Sequence, residues 1–506
     1  MNRTQKSIKN LSYGMLYQIM YLVMTFAVRI AIIHCLGMTV LSLNGLFTEV
    51  LSLLTLSEMG VGMAITYSLY KPLAENDTKK ITQLMNLFRK AYHIITVAMF
   101  GIGLCLIPFL KYIIKGVDVS WNYQVFVYLM FLINTCVSYL FSYKALLLTA
   151  DQKAYVQAKL NLVIRFAFFI ISLFMVCVVK NYVAYLCSEI GYSAVFYLVV
   201  ARKADKMYPY INNRSEQLPP EETKEIMTSV KRVFVGKLSN RVLNSTDNLL
   251  ISSLVGTVKV GIYGQYSMFI NGFLRLFSQL NEAVVGGVGN IMAIESPKKA
   301  KETYDNLTYI FFILGSVSAV CMYVAIDPFL KFFIGDQYLL DNGVLCVLMV
   351  NLFLETLKAP LWTYFNAAGL FKEEQYISLV GCILNVIVSI IWGLKDGMYG
   401  IFMGTAVSLL LMIICKIYAI GHKSFNGAQR EMATDYAKYM IIFSAEMLAA
   451  IFCTNFSMSN CLIEFFLKGC VGLVITIIGS VCVFQKTSEY RYVSEMLERK
   501  LKKSHI

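Results

Sequence analysis

KRVFVGKLSNRVLNSTDNLLISSLVGTVKVGIYGQYSMFINGFLRLFSQLNEAVVGGVGNIM, residues 231–292, reads as two long apolar helices parted by the short break VGTVKVGIY. The first carries Lys237, Arg241 and Asp247, the second Arg275 and Glu282. A charge at the centre of a bilayer costs at least about 2.5–3.5 kcal/mol, so ionisable residues within a span face a cavity or a partner. Lys237, Arg241, Asn244, Asn248 and Ser252 recur at spacings of three and four, and so do Asn271, Arg275, Ser278 and Glu282. Each set therefore shares one helix face, with Asp247 lying off it. Gln18, Thr25 and Arg29 repeat the pattern more weakly near the start of the chain.

The rest of the chain supplies the setting. Of its 506 residues 58% are hydrophobic and only 15% charged, against roughly 25% charged in a soluble protein. Its mean hydropathy is +0.62. The apolar residues fall in fourteen runs, at 11–35, 41–70, 91–114, 122–149, 159–180, 182–201, 233–256, 261–292, 305–330, 341–368, 376–395, 397–420, 437–455 and 463–484. Each is long enough to cross the hydrocarbon as a helix. The fold class is an all-α polytopic membrane protein of about fourteen spans.

The net charge of +14 would suit nucleic acid if it were pooled. It is instead scattered through short loops, so no nucleic-acid partner is expected. With a cytoplasmic N-terminus the segments placed outside hold only Lys111, Lys115, Lys180, Lys259, Lys331, Lys395 and Lys468. That asymmetry puts both termini inside. The thirteen cysteines show no CxxC and lie mostly within apolar runs, where they behave as small apolar side chains. There is no Walker A sequence, no HExxH and no metal cluster, and His34, His93, His422 and His505 are the only histidines. No catalytic role, cofactor or metal is expected.

Two halves of the chain resemble each other at a spacing of about 219 residues. HCLGMTVLSLNGLF (34–47) matches SLVGTVKVGIYGQY (253–266), bringing Gly37 onto Gly256. IPFLKYIIKG (107–116) matches DPFLKFFIGD (327–336). Six helices in each half make a parallel repeat, a plan on which transporters place substrate between two lobes. The expected divisions are an N-lobe at 1–205, a cytoplasmic linker at 206–230 and a C-lobe at 231–425. Two extra helices and a basic tail, lying on the anionic inner leaflet or solvated, fill 426–506.

Depth separates the charges. Arg275 lies mid-span and suits a cavity, while Arg241 and Lys237 are close enough to the cytoplasmic end to snorkel. Arg29 is placed equally for ligand binding or interfacial anchoring, and Arg165 as an inner-leaflet anchor. Glu355 and Lys358, spaced i, i+3, suit an internal ion pair. Glu58, Glu189, Glu282 and Glu446 read as ion sites or as partners of a neighbouring cation.

The run NLSYGML…R at 10–29, LGMTVLSLNGLFTEV at 36–50, SEMGVGMAI at 57–65 and above all STDNLLISSLVGTVKVGIYGQY at 245–266 carry a family resemblance. The chain resembles the polysaccharide or O-antigen flippases of the MOP superfamily, relatives of the lipid II flippases and the MATE exporters. Asp247, Ile251, Gly256, Gly261 and Tyr263 stand at the pattern positions. The resemblance implies two lobes that carry an undecaprenyl-pyrophosphate-linked oligosaccharide across the bacterial inner membrane by alternating access. It implies a cationic cavity in which Arg275, Arg241 and Arg29 hold the head group, beside Asn248 and Asn271. Glu58, Glu282, Asp247 and Glu355 would be acids for ion coupling or pairing. Membrane lipids, a polysaccharide polymerase and glycosyltransferases would be its partners. The run at 11–35 lacks the acid that many MATE exporters carry there, which counts against the alternative, a cation-coupled exporter of small amphipathic molecules. A membrane-embedded glycosyl polymerase would be expected to carry a large outer loop, and every expected outer loop is short.

Overall fold

The computed structural model describes residues 3–214, 216–228, 230 and 246–504, and among them the only regular elements are helical. The first half holds α1 (Arg3–Leu36), α2 (Met38–Leu54), α3 (Leu56–Glu75), α4 (Thr78–Ile113), α5 (Trp121–Ala150), α6 (Ala154–Cys177) and α7 (Tyr182–Met207). A helical segment α8 (246–255), ending in a π-turn at Ile251–Val255, leads into the second half. There follow α9 (Thr257–Ile294), α10 (Pro297–Ile334), α11 (Asn342–Ala367), α12 (Phe371–Asp396) and α13 (Met398–Lys423). The chain ends in α14 (Gln429–Cys453), α15 (Cys461–Phe484) and α16 (Ser488–Ser504).

Eleven helices among the described residues are long and apolar enough to span a bilayer, and each matches an expected run. The other three runs differ in instructive ways. The run at 41–70 is divided between α2 and α3 at Thr55. There Ser52 Oγ donates to Glu49 O and Thr55 Oγ1 to Ser52 O, both at 2.7 Å. Such back-bonding hydroxyls compete with the helix ladder and bend it. The run at 233–256 lies largely outside the described residues. The run at 261–292 is the 38-residue α9, whose interior carries Gln265, Asn271, Arg275, Gln279, Asn281 and Glu282 and so falls short of the apolarity of the eleven.

The repeat is visible in the backbone. Gly37 and Gly256, 219 residues apart, both take positive φ, +93° and +135°, and each stands immediately before a helix, α2 and α9. That region admits glycine and strains almost every other residue. At the same spacing Asp77 and Ser296 cap α4 and α10, their side chains accepting from Lys80 N at 2.9 Å and Lys299 N at 3.5 Å. Pro108 and Pro328 sit inside these two helices near their C-terminal ends. The packed pairs α4–α5, α5–α7 and α6–α7 recur as α10–α11, α11–α13 and α12–α13.

The chain divides into two compact units, Met1–Gly261 and Ile262–Ile506. The first runs past the linker at 206–230, where the sequence places the division, for two reasons. Tyr210, Asn213, Glu216 and Glu222 are fastened to α4: Thr82 Oγ1 donates to Tyr210 O, Asn86 Nδ2 to Asn213 O and Glu216 O, and Lys80 pairs with Glu222. The break around Gly256 is then clasped to the end of α4. Ser252 Oγ donates to Ile113 O at 2.7 Å, Thr257 N to Lys115 O at 3.0 Å and Lys115 N to Thr257 Oγ1 at 2.9 Å.

In the second unit α14 and α15 close over α10 and α11 through aromatic rings. Phe353 stacks on Phe443 at 3.9 Å, Phe312 on Tyr439 at 4.7 Å, and Phe484 meets both Phe312 and Tyr309. The basic tail forms α16, which packs on α10 and α15.

Gly256→Ala and Gly37→Ala are expected to destabilise the protein by about 1–3 kcal/mol each, the usual cost of a non-glycine residue held in this backbone region. Gly14→Ala, within α1 and with open space around it, is expected to be neutral or slightly stabilising. Thermal melting of the three detergent-solubilised variants checks this; equal melting points would refute it.

Candidate functional site

Three helices of the first unit bring polar side chains together at membrane depth. On α7, Tyr182, Tyr185, Glu189, Tyr192 and Phe196 follow one another at spacings of three and four, so they share a face. Asn161, Arg165 and Ser172, at steps of four and seven, share a face of α6. Arg165 Nη1 donates to Glu189 Oε2 at 2.8 Å, and Ser172 Oγ to Glu189 Oε1 at 3.3 Å. The guanidinium lies 4.5 Å from the Tyr192 ring and 5.8 Å from the ring of Tyr21 on α1, a favourable arrangement for a cation away from water. Tyr192 OH in turn donates to Asn161 Oδ1 at 2.5 Å.

Arg165 is therefore no interfacial anchor, as its place in the sequence suggested. Its charge is met inside the helix packet by Glu189, the partner reading of that acid. Arg29 sits on the same side of α1 as Tyr21, half-buried, with Tyr21 and Tyr185 among the groups acting electrostatically on it. The first unit thus offers a lining of one ion pair, several phenols and a second arginine.

In the second unit α9 is two-faced. Gln265, Tyr266, Ile270, Phe277 and Asn281 are buried, whereas Asn271, Arg275, Ser278 and Glu282 are all exposed. The buried polar groups are engaged: Tyr266 OH donates to Asp327 Oδ1 at 2.6 Å, and Thr363 Oγ1 to Asn281 Oδ1 at 2.6 Å. Among the described residues Arg275 and Glu282 have no hydrogen-bond or ion-pair partner. The exposed polar side chains are thus the ones that share a face by their spacing, and the apolar Phe273, Leu276 and Leu280 of α9 are exposed as well.

The other expected site residues separate. Arg241, Lys237 and Asn244 lie outside the described residues, and Glu58 lies in α3 with its side chain outside them. Asn248 is half-buried, its Oδ1 without a donor among the described residues. Asp247 is half-buried. Ser252, placed on the polar stripe of its helix, is fully buried and clasps the end of α4 instead. Glu355 pairs with Lys358 at 2.8 Å. Glu446 is buried between α10 and α15, where Ser316 Oγ donates to one oxygen while the other has no partner among the described residues.

One charge escaped the sequence reading. Lys416 lies near the end of an apolar run and passes for an interfacial lysine, yet it is 2% exposed. It pairs with Glu374 of α12 at 2.8 Å and faces the Phe365 ring at 5.6 Å. The acids Glu373 and Glu374, just ahead of the apolar run at 376–395, were the available signal. Likewise the Tyr182–Phe196 stripe was legible as a periodic face but carries no formal charge except Glu189. Among the described residues no group of His, Cys, Asp or Glu could hold a metal ion.

Comparison with known proteins places this architecture. The MatE family model matches residues 233–391, under half of the chain. An uncharacterized membrane protein of Methanocaldococcus jannaschii is 23% identical over 186 residues, which span 36% of this chain and 42% of that relative. Among solved structures, the lipid II flippase MurJ superposes with a TM-score of 0.67 at 14% identity, covering 92% of this chain and 99% of that one. A multidrug-resistance MATE transporter of the MOP superfamily gives 0.62 at 13%, covering 84% and 99%. The MATE transporter VcmN of Vibrio cholerae gives 0.59 at 14%, covering 83% and 98%. The chain is a multi-pass membrane protein with the fold of the MOP-superfamily transporters.

Removing one partner of a buried pair leaves an uncompensated charge, a loss of about 3–5 kcal/mol. Glu374→Ala, which strands the buried Lys416, is expected to fall in that range, and Glu189→Ala, whose pair with Arg165 is partly exposed, below it but above about 1 kcal/mol. Glu282→Ala, on the exposed face of α9, should stay within about 0.5 kcal/mol. Thermal melts in one detergent decide this, and a Glu282→Ala loss as large as the other two would contradict the assignment.

Proposed function

We propose that the chain is a flippase that moves an undecaprenyl-pyrophosphate-linked oligosaccharide from the cytoplasmic to the outer leaflet of a bacterial inner membrane, for O-antigen, capsule or exopolysaccharide synthesis. The observation that carries this reading is the set of exposed polar side chains Asn271, Arg275, Ser278 and Glu282 on one face of α9, a helix at the apolar run 261–292. A guanidinium binds phosphate bidentately and stays charged when removed from water, which suits a pyrophosphate better than a neutral substrate. Arg29 and Arg241 are the other cations that this reading assigns to the head group. Asn248 and Asn271 offer amides for sugar hydroxyls. Alternating access of two repeats around one site supplies the movement. Both termini are cytoplasmic in this reading, and a polysaccharide polymerase and glycosyltransferases act on either side of the step.

The MatE match favours a second reading, a cation-coupled exporter of small amphipathic molecules, with Glu282, Glu58, Asp247 or Glu355 as the coupling acid. It asks for an acid, and not an arginine, as the residue on which transport depends.

The test is made in cells that need this gene for surface polysaccharide. Arg275→Ala and Arg29→Ala each remove a charged contact of about 1.5–3 kcal/mol, roughly ten- to more than a hundredfold in affinity for the head group. Surface polysaccharide is expected to fall and the lipid-linked precursor to accumulate in the inner leaflet, with protein levels unchanged. Normal polysaccharide without precursor build-up rejects the proposal. Drug susceptibility in the deletion strain, reversed by the wild-type gene and by Arg275→Ala but not by Glu282→Gln, selects the exporter.

A further inference from the structure

A cavity of about 430 Å³ opens in the first unit, and neither Arg29 nor Arg165 lines it. Its walls are α4 (Asn86, Arg89, His93), α5 (Phe141, Tyr143, Lys144) and the segment after α7 (Asn212, Arg214). The balance of charge is positive. Lys144 is held by Asp205, its Nζ donating to both carboxylate oxygens at 2.6 and 2.7 Å. Glu216, the other nearby acid, is turned to Gln83. Among the described residues Arg89 and Arg214 have no carboxylate partner, and both act electrostatically on Tyr143. The wall is built: Asn86 Nδ2 donates to Asn213 O and Glu216 O, and His93 Nδ1 lies 2.8 Å from Arg89 O.

Position in the membrane identifies the ligand. The 36 residues of α4 make a helix of about 54 Å, against a hydrocarbon core of about 30 Å. Its apolar part begins at Ala91, so Lys79, Lys80, Arg89 and Lys90 lie at or beyond the surface. Arg89 and His93 stand at that boundary. Just beyond them Ile94 and Val97 are 69% and 74% exposed, and the exposed apolar residues continue through Phe100 and Leu104. A cationic pocket at the interface that runs directly into an uncovered apolar helix face matches a molecule with an anionic head and a hydrocarbon tail.

We propose that this cavity binds an anionic phospholipid of the adjoining leaflet, its phosphate on Arg89 and Arg214 and its acyl chain along α4 from Ile94 onward. Basic pockets between membrane helices recognise such head groups by charge. The site is separate from the transport reading and does not depend on it.

Native mass spectrometry of the full chain in detergent, with dioleoylphosphatidylglycerol or dioleoylphosphatidylcholine added, tests the assignment. The wild type is expected to retain phosphatidylglycerol and not phosphatidylcholine. Arg89→Gln/Arg214→Gln should weaken phosphatidylglycerol retention roughly 30-fold, and Arg214→Gln alone about fivefold, at about one interfacial charge each. Arg214 is exposed and without an ion-pair partner among the described residues, so the single variant keeps the test valid if the double one fails to fold. Arg89→Lys/Arg214→Lys should keep most of the binding. Unchanged phosphatidylglycerol retention in the Gln variants, or equal retention of phosphatidylcholine by the wild type, overturns the proposal. So does inorganic phosphate that raises the melting temperature of the wild type as much as phosphatidylglycerol does, because the pocket is then a site for a free anion.

Discussion

A charge that cannot reach water must meet a counter-charge, a dipole or an aromatic face, and in this chain that constraint decides how neighbouring helices are joined. Arg165 of α6 meets Glu189 of α7 with the Tyr192 ring against it, and Lys416 of α13 meets Glu374 of α12 with Phe365 against it. By the repeat, α6–α7 and α12–α13 are the same pair of helices. Each half locks that pair with one ion pair backed by an aromatic ring, but the acid and the base have changed places. The residues are not at equivalent positions, so the lock belongs to the helix pair and not to any one residue. Charges that carry no such lock, Arg275 above all, stand out because the rule is obeyed elsewhere.

The same constraint separates supporting residues from candidate ligand residues on a single helix. Along α9, Gln265, Tyr266 and Asn281 are buried, and the partners found for Tyr266 and Asn281 are Asp327, the amide of Leu340, Thr363 and the carbonyl of Ala359. These bonds orient the helix. The opposite stripe makes no such bonds. A polar residue that serves packing and one that awaits a ligand look alike in composition; they differ in whether a partner stands within 3.5 Å.

How much of this was legible follows from the length scale of each signal. The helices are legible because a span needs about 20 apolar residues and leaves a long, redundant trace. The parallel repeat is legible because Gly37 and Gly256 hold a backbone conformation closed to other residues, a requirement that survives when neighbouring side chains change. The stripe on α9 is legible because three- and four-residue spacing is set by the helix itself. The break at Thr55 was hidden: it depends on which hydroxyls turn back onto the ladder, and Ser and Thr are common in unbroken spans.

The amino-acid sequence alone determined that this is a membrane protein of two similar halves, which face of α9 is polar, and that Glu355 and Lys358 pair within one turn. All of these depend on residues close in sequence, or on spacing that a helix converts directly into geometry. Only the tertiary structure decided that Arg165 and Lys416 are paired and not anchors, that Ser252 clasps α4, and that the first compact unit extends to Gly261. Each depends on a partner between about 24 and 140 residues away, as with Glu189, Glu374 and Ile113. No helical period carries information across such a separation; helix packing supplies it.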